Sequence, residues 1–295
     1  MKRSASMFLL LALLTVPSLA QYKFTQVDFP GAAQTNLFAI NDKRQYVGAS
    51  IDANGTNHAI YFDGNTLSLL DPDGVVGTNF SFALSLNLQG EIVGGYVDTL
   101  NVSHGFLYSR GNVTTIDYPG AAGTFAFGIN DRDEIIGIYS DSSGQHAFLR
   151  RDGAFKTIDL AGGVTTPFSI NDWGEIVGQY ENVANTTGHG YLELNNGKFT
   201  TYDAPQAPPN STFFISINNF NHILGAWLDT NSTFHNFLLV DGKYRSFNLP
   251  QSFRPSQVSA QTINDFGDIV GWFADPQKVQ HGFLALHKCD PDPGH

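Results

Sequence analysis

Six histidines recur along the chain, at positions 58, 104, 146, 189, 235 and 281. Each follows a carboxylate or its amide: Asp52, Asp98, Asp141, Asn182, Asp229 and Asp275. A histidine beside carboxylates can bind a metal ion, relay a proton or close a hydrogen-bond network. Recurrence separates these chemistries, because a ligand or catalytic site is single or rare whereas this set returns in every repeat. His58, His104, His146, His189, His235 and His281, with Asp52, Asp98, Asp141, Asp229 and Asp275, are therefore read as ties that fasten a loop within its own repeat. Metal spacings such as Cys-x-x-Cys and His-Glu-x-x-His are absent, as is the Asp-x-Asp-x-Asp-Gly calcium loop, so no metal or cofactor is expected. No Gly-x-Ser-x-Gly nucleophile turn occurs. The unrepeated histidines are His222, in a turn, and His287 and His295, near the C-terminal end. Extra carboxylates such as Glu181 and Glu193 define no acid–base pair by spacing alone.

The elements that carry these residues are also periodic. An Asn returns at 41, 87, 130, 171, 218 and 264, and a Gly seven residues after each. A short Asp motif precedes each Asn: Val27-Asp28, Leu70-Asp71, Ile116-Asp117, Ile158-Asp159, Tyr202-Asp203 and, with Asn in place of Asp, Phe247-Asn248. Between Thr124 and Leu160 the pattern predicts four strands: Phe125–Ile129, Glu134–Tyr139, His146–Arg151 and Phe155–Leu160. They are separated by Asn-Asp turn chemistry, a polar loop and an Asp152-Gly153 hairpin signal. Four-stranded repeats of this length read as blades, and six of them predict an all-β, six-bladed β-propeller over 21–288. Repeat six lacks a fourth strand and Phe24–Phe29 is an orphan one, so the N-terminal strand is expected to complete the last blade and remove an open edge. An elongated solenoid is the alternative, but it leaves that complementarity unexplained. Repeat two has Asn87-Leu88, and repeat five has Asn218-Asn219 without a turn Gly; their turns are expected to differ.

His146-Ala147-Phe148 and its cousins (His58-Ala59-Ile60, His104-Gly105-Phe106, His189-Gly190-Tyr191, His235-Asn236-Phe237 and His281-Gly282-Phe283), together with Ile-Asn-Asp and Ile-Val-Gly, resemble the bacterial extracellular repeat proteins of the HAF family. The resemblance spans essentially all of 21–288. It implies secretion and a repeat fold, and no reaction.

The first twenty residues fit a cleaved secretory signal: Lys2 and Arg3, an apolar run from Met7 to Val16, then small residues before Gln21. A secreted protein, extracellular or periplasmic and without a transmembrane segment, is expected. Cys289, the one cysteine, lies in a polar tail over 289–295, so no internal disulfide can form. The net charge of −11 argues against nucleic acid and anionic membranes as partners. A monomer is expected.

Function on a repeat scaffold lies where copies differ. Two residues after the recurring Asn stand Lys43, Gln89 and Arg132 in repeats one to three, but Trp173, Phe220 and Phe266 in repeats four to six. Either these rings fold back onto their own blades or they form a patch for a carbohydrate or protein partner. On the opposite face, the linking loop of repeat six carries Arg254, a weaker candidate anchor for an acidic sugar. A binding module is the favoured reading; an enzyme acting on a polysaccharide and a structural envelope or matrix protein are the alternatives.

Overall fold

The computed structural model describes residues 21–70, 80–182, 184 and 187–288. The expected leader, Asp71, His295 and the tail with Cys289 lie outside them. Within them the chain is a six-bladed β-propeller of four-stranded antiparallel meanders. The departure from strand structure is a one-turn 3-10 helix at Gln251–Phe253. Among the described residues no helix is long and apolar enough to cross a membrane.

Blade 3 shows the pattern. Its strands are Gly123–Ile129, Ile135–Asp141, Gly144–Arg151 and Ala154–Thr157. The loop expected over 140–145 shrinks to Ser142 and Ser143, because the second and third strands pair as far as Asp141 opposite Gly144. In every blade the first strand carries a bulge, here the extra residue Phe127 between Ala126 and Gly128. The bulge explains the recurring Gly. A Cβ on Gly137 would stand 2.0 Å from the Phe125 carbonyl oxygen and 2.8 Å from the Phe148 ring, closer than atoms can approach. Gly137 thus lets the bulged strand lie close while Phe148, fully buried, fills the blade interior.

The bulge also re-aims its extra residue. Phe38, Phe127, Phe168, Ile215 and Gln261, with Leu84, line a cavity of about 240 Å³ in the central channel, so the narrow end of each blade packs side chains rather than backbone. The main cores lie between consecutive blades. One joins Ile136, Ala147, Ile158 and Leu160 to Ile170, Ile176, Tyr180 and Tyr191.

The recurring Asn fastens blade to blade. Asn130 Oδ1 accepts the backbone N–H groups of Arg132 and Glu134, holding its turn. Its Nδ2 donates to the Asn171 carbonyl of the next blade at 2.9 Å. The same donation runs from Asn41 to Asn87, Asn87 to Asn130, Asn171 to Asn218, Asn218 to Asn264 and Asn264 back to Asn41. These bonds form a closed ring of buried amides. A second ring uses the following residue, whose N–H donates to the next blade's carboxylate or amide: Leu88 to Asp131, Asp131 to Asp172, Asp172 to Asn219, Asn219 to Asp265 and Asp265 to Asp42.

The turns of repeats two and five do not differ, contrary to expectation. The fourth turn residue is left-handed in all six, with φ of 76° at Gly90 and 59° at Asn221, beside 59° at Arg44 and 60° at Asp133. Asn tolerates that region, so the missing Gly changes nothing. Leu88 only removes one acceptor from the second ring.

Blade 6 consists of Gln257–Ile263, Ile269–Ala274 and Gln280–His287, and Tyr22–Val27 completes it. The closing strand pairs from Tyr22 opposite His287 to Val27 opposite Gly282. It begins and ends two residues before the expected Phe24–Phe29. Phe29 already belongs to the link into blade 1, where its N–H donates to Thr35 Oγ1.

Candidate functional site

The meander puts the loops between second and third strands on one face, with the links between blades. The hairpins lie on the other face. On the loop face each recurring His lies against the carboxylates of its own blade. His146 has Asp159 at 2.6 Å from Nδ1 and Asp141 at 3.3 Å from Nε2. His104 lies between Asp117 at 3.0 Å and Asp98 at 3.5 Å. His281 lies between Asp28 of the closing strand at 2.8 Å and Asp275 at 3.7 Å. His189 meets Asp203 at 2.8 Å, His235 meets Asp229 at 3.2 Å and His58 meets Asp52 at 3.7 Å.

The rings stack on an aromatic of the second strand, as His104 on Tyr96, His146 on Tyr139 and His235 on Trp227. The loop carboxylates have a further task. Asp98 Oδ1 accepts the N–H groups of Leu100 and Val102, and Asp52, Asp229 and Asp275 repeat the arrangement. These backbone bonds hold Asp98, Asp52 and Asp229 below the usual carboxylate range, as the Ser143 hydroxyl and N–H do for Asp141. The hydrogen bond that His146 donates to Asp159 raises it above the usual imidazole value. Among the described residues no three His, Cys, Asp or Glu side chains converge as metal ligands.

The hairpin face is built differently. Its tips on blades 1 and 3 are polar and engaged. Lys43 Nζ donates to the Leu88 carbonyl at 2.6 Å, and Arg132 pairs with Glu134 at 3.0 Å. On blades 4, 5 and 6 the tips are Trp173, Phe220 and Phe266, which are 61%, 65% and 53% exposed. Trp173 leans across to its neighbour, where Nε1 donates to the Asn219 carbonyl at 2.9 Å.

Beside Phe266 a crevice of about 180 Å³ opens between blades 5 and 6. Leu238, Val240 and Ile263 form its apolar part, and Tyr22, His222, Arg245 and His287 bring polar groups. His222 occupies the position four after the recurring Asn, where the other copies have Gln45, Glu91, Glu134, Glu175 and Asp268. Each of those five accepts a hydrogen bond from its Asn Nδ2. Among the described residues His222 takes no such bond, and its ring lies 6.2 Å from the Phe220 ring. His287 lies edge-on to Tyr22 at 5.3 Å through the closing pair. Burial and the nearby Asp268 carboxylate push the Tyr22 hydroxyl up to about 12, Arg245 acting in the opposite sense, so it remains a donor at neutral pH.

The sequence singled out the three aromatic tips, and the structure places them on consecutive blades. It set His222 and His287 apart as unrepeated, and the structure brings both to one crevice. Tyr22 and Arg245 were missed: one lies in the closing strand and the other on an outer strand, with no local motif. Arg254 is not part of this arrangement. It follows the 3-10 turn of the blade 6 link, on the loop face, with φ of 46°.

No protein-family model and no curated protein matches the chain. Solved structures share its fold. The six-bladed β-propeller lectin of Aleuria aurantia, described with a novel fucose recognition mode, is 15% identical with a TM-score of 0.54, over 95% of this chain and 100% of the lectin. AofleA from Arthrobotrys oligospora is 14% identical with a TM-score of 0.56, over 90% of this chain and 86% of that one. A putative gluconolactonase is 10% identical with a TM-score of 0.53, over 91% of this chain and 93% of that one. At these identities the likeness is one of fold.

Proposed function

We propose that this protein is a secreted bacterial carbohydrate-binding module of the HAF repeat type, and that it holds sugars on the hairpin face of blades 4 to 6. The observation that carries the reading is the row of exposed rings on consecutive blades, Trp173, Phe220 and Phe266, the last of which borders the crevice between blades 5 and 6. Sugar rings present flat C–H surfaces that stack on aromatic faces, while their hydroxyls need fixed polar partners nearby. A rigid aromatic platform beside a polar crevice provides both at little conformational cost. The Aleuria aurantia lectin, which shares the fold, supports the reading as a precedent for sugar binding on a propeller frame.

The test is thermal unfolding of the chain with and without a panel of plant and cell-wall oligosaccharides, beside a variant with Trp173, Phe220 and Phe266 all replaced by Ser. A bound sugar at about 100 times its Kd adds about 2.7 kcal/mol, a rise of roughly 5–10 °C for a protein of this size. The expected result is such a rise with wild type and none with the variant, at equal melting temperatures without sugar. A variant that retains the rise removes these rings from the site. No response to any sugar overturns the carbohydrate reading.

A further inference from the structure

We infer that the crevice between blades 5 and 6 selects sugars bearing a carboxylate, that is, uronic acid residues, with Arg245 as the anchor. The inference rests on the carbohydrate reading above and names the class of sugar that the same site takes.

The argument is an inventory of what the crevice offers and what it lacks. Its polar wall consists of the Arg245 guanidinium, the His222 and His287 rings and the Tyr22 hydroxyl, with Gln21 at the edge. All of these can donate. The carboxylate that lines it, Asp265, is turned toward blade 5: Oδ1 accepts the Asn219 N–H at 2.8 Å and Oδ2 accepts Asn219 Nδ2 at 3.0 Å. The carboxylate behind it, Asp268, is fully buried. Its Oδ1 takes the His287 N–H, and its Oδ2 takes Arg44 Nε at 2.9 Å and, at 3.4 Å, Asn264 Nδ2.

Arg245 itself is exposed on the outer strand Lys243–Phe247 and forms no ion pair among the described residues. In a strongly acidic chain the crevice wall therefore carries a guanidinium that no carboxylate pairs among the described residues, flanked by two imidazoles. A planar guanidinium fits a carboxylate through two parallel hydrogen bonds, which neutral hydroxyls cannot match. The Phe266 ring, 53% exposed at the margin, supplies the stacking surface for the same sugar unit.

Departure from the repeat points the same way. Five of six blades put an oxygen acceptor where His222 stands, and that acceptor faces the recurring Asn. Blade 5 alone replaces it with an imidazole, which lines the crevice. His287 reaches the site because it is the last residue of the third strand of blade 6, opposite Tyr22.

The test is calorimetric titration, at one fixed low ionic strength, of the full chain with oligogalacturonates and oligoglucuronates and with their carboxyl-reduced counterparts. These differ only by the carboxylate. Wild type should bind a uronate at least about 10-fold more tightly than its reduced partner. Arg245→Gln should erase that difference by weakening the uronate alone, with an unchanged melting temperature because the side chain is exposed. Arg254→Gln, on the opposite face, should change nothing.

Equal affinity for both members of each pair overturns the inference and leaves the carbohydrate reading standing. No binding of either member, with no other sugar of the wider panel bound, overturns both. A preference for the uronate that Arg254→Gln removes and Arg245→Gln does not places the anion on the other face, and the inference falls.

Discussion

At the loop face, His104 lies between Asp98 and Asp117 and stacks on Tyr96, while Asp98 also holds two backbone amides of its loop. At the hairpin face of blade 5, His222 has lost the acceptor role that its five counterparts perform and lies beside an exposed Phe220. Both are half-exposed histidines on the same scaffold. The first belongs to a set that recurs in every blade and is closed within it. The second is unrepeated, and no hydrogen bond holds its ring among the described residues. The contrast teaches that in a repeat protein the frequency of a residue is a guide to how fully the fold itself employs it.

Four perturbations break or sharpen this contrast. The largest effect is expected from deleting residues 21–29. That removes the closing strand, leaves Gln280–His287 as an open edge, and takes Asp28 from His281 and Tyr22 from the crevice, so both faces fail together. The melting temperature should fall by more than about 15 °C. An unchanged melting temperature would mean that the ring is not what stabilises the fold.

Next is Asn130→Ala. It removes the donor to Asn171 and strands the buried N–H of Glu134 and the part-buried N–H of Arg132. A loss of about 3 kcal/mol, or roughly 6–12 °C, is expected. Sugar affinity at blades 5 and 6 should be untouched, since the recurring Asn acts on the frame and not on the ligand.

Smaller again is His146→Gln on the loop face. The folded-state value of His146 is raised, with Asp159 as the first cause. Its stabilising contribution is therefore complete below the unfolded value of about 6.5 and is lost as pH rises through the folded value. The variant should melt about 1–3 °C below wild type at pH 6, and the gap should close by pH 9. Loss of sugar binding in this variant would erase the distinction between the two faces.

The smallest effect concerns Glu193, an unrepeated carboxylate inside the blade wall whose Oε2 has no hydrogen-bond partner among the described residues. Burial raises its folded-state value despite Lys156 nearby. A raised carboxyl penalises the ionised fold, so stability falls as pH climbs from the unfolded value of about 4.3 through the folded one. Glu193→Gln should gain about 1–2 °C at pH 7 and nothing at pH 4. It asks whether a departure from the repeat can be a structural cost alone; an effect on sugar binding would make it part of the site.

Much of the fold was legible because its signals repeat. The Asn, Gly and His periods report a turn, a close approach and a loop tie, each local to one blade, and the orphan strand reports the closure. What escaped was relational. The Asn ring joins each turn to the next, so no single repeat displays it. The bulge that makes Gly137 obligatory adds one residue to a strand without altering its apolar pattern. The site was half legible: Trp173, Phe220 and Phe266 stand at one position of the alignment of repeats and contrast with Lys43, Gln89 and Arg132. Tyr22, Arg245 and His287 hold unrelated positions in their strands, and only ring closure brings them together. One usable signal was His222, the sole residue without a side-chain oxygen in the column of Gln, Glu and Asp four residues after the Asn.

The pairing of Tyr22–Val27 with Gln280–His287 also sets a clock. Synthesis runs from the N-terminus, so Tyr22–Val27, which emerges before every other described strand, is the last of them to find its partner. Five blades can form from neighbouring sequence as they appear, while the sixth must wait for nearly the whole chain. Until then the outer edge of that blade is a bare strand, open to pairing with any other chain. The same event that latches the ring also assembles the crevice between blades 5 and 6, so an unfinished molecule has its frame but not that crevice.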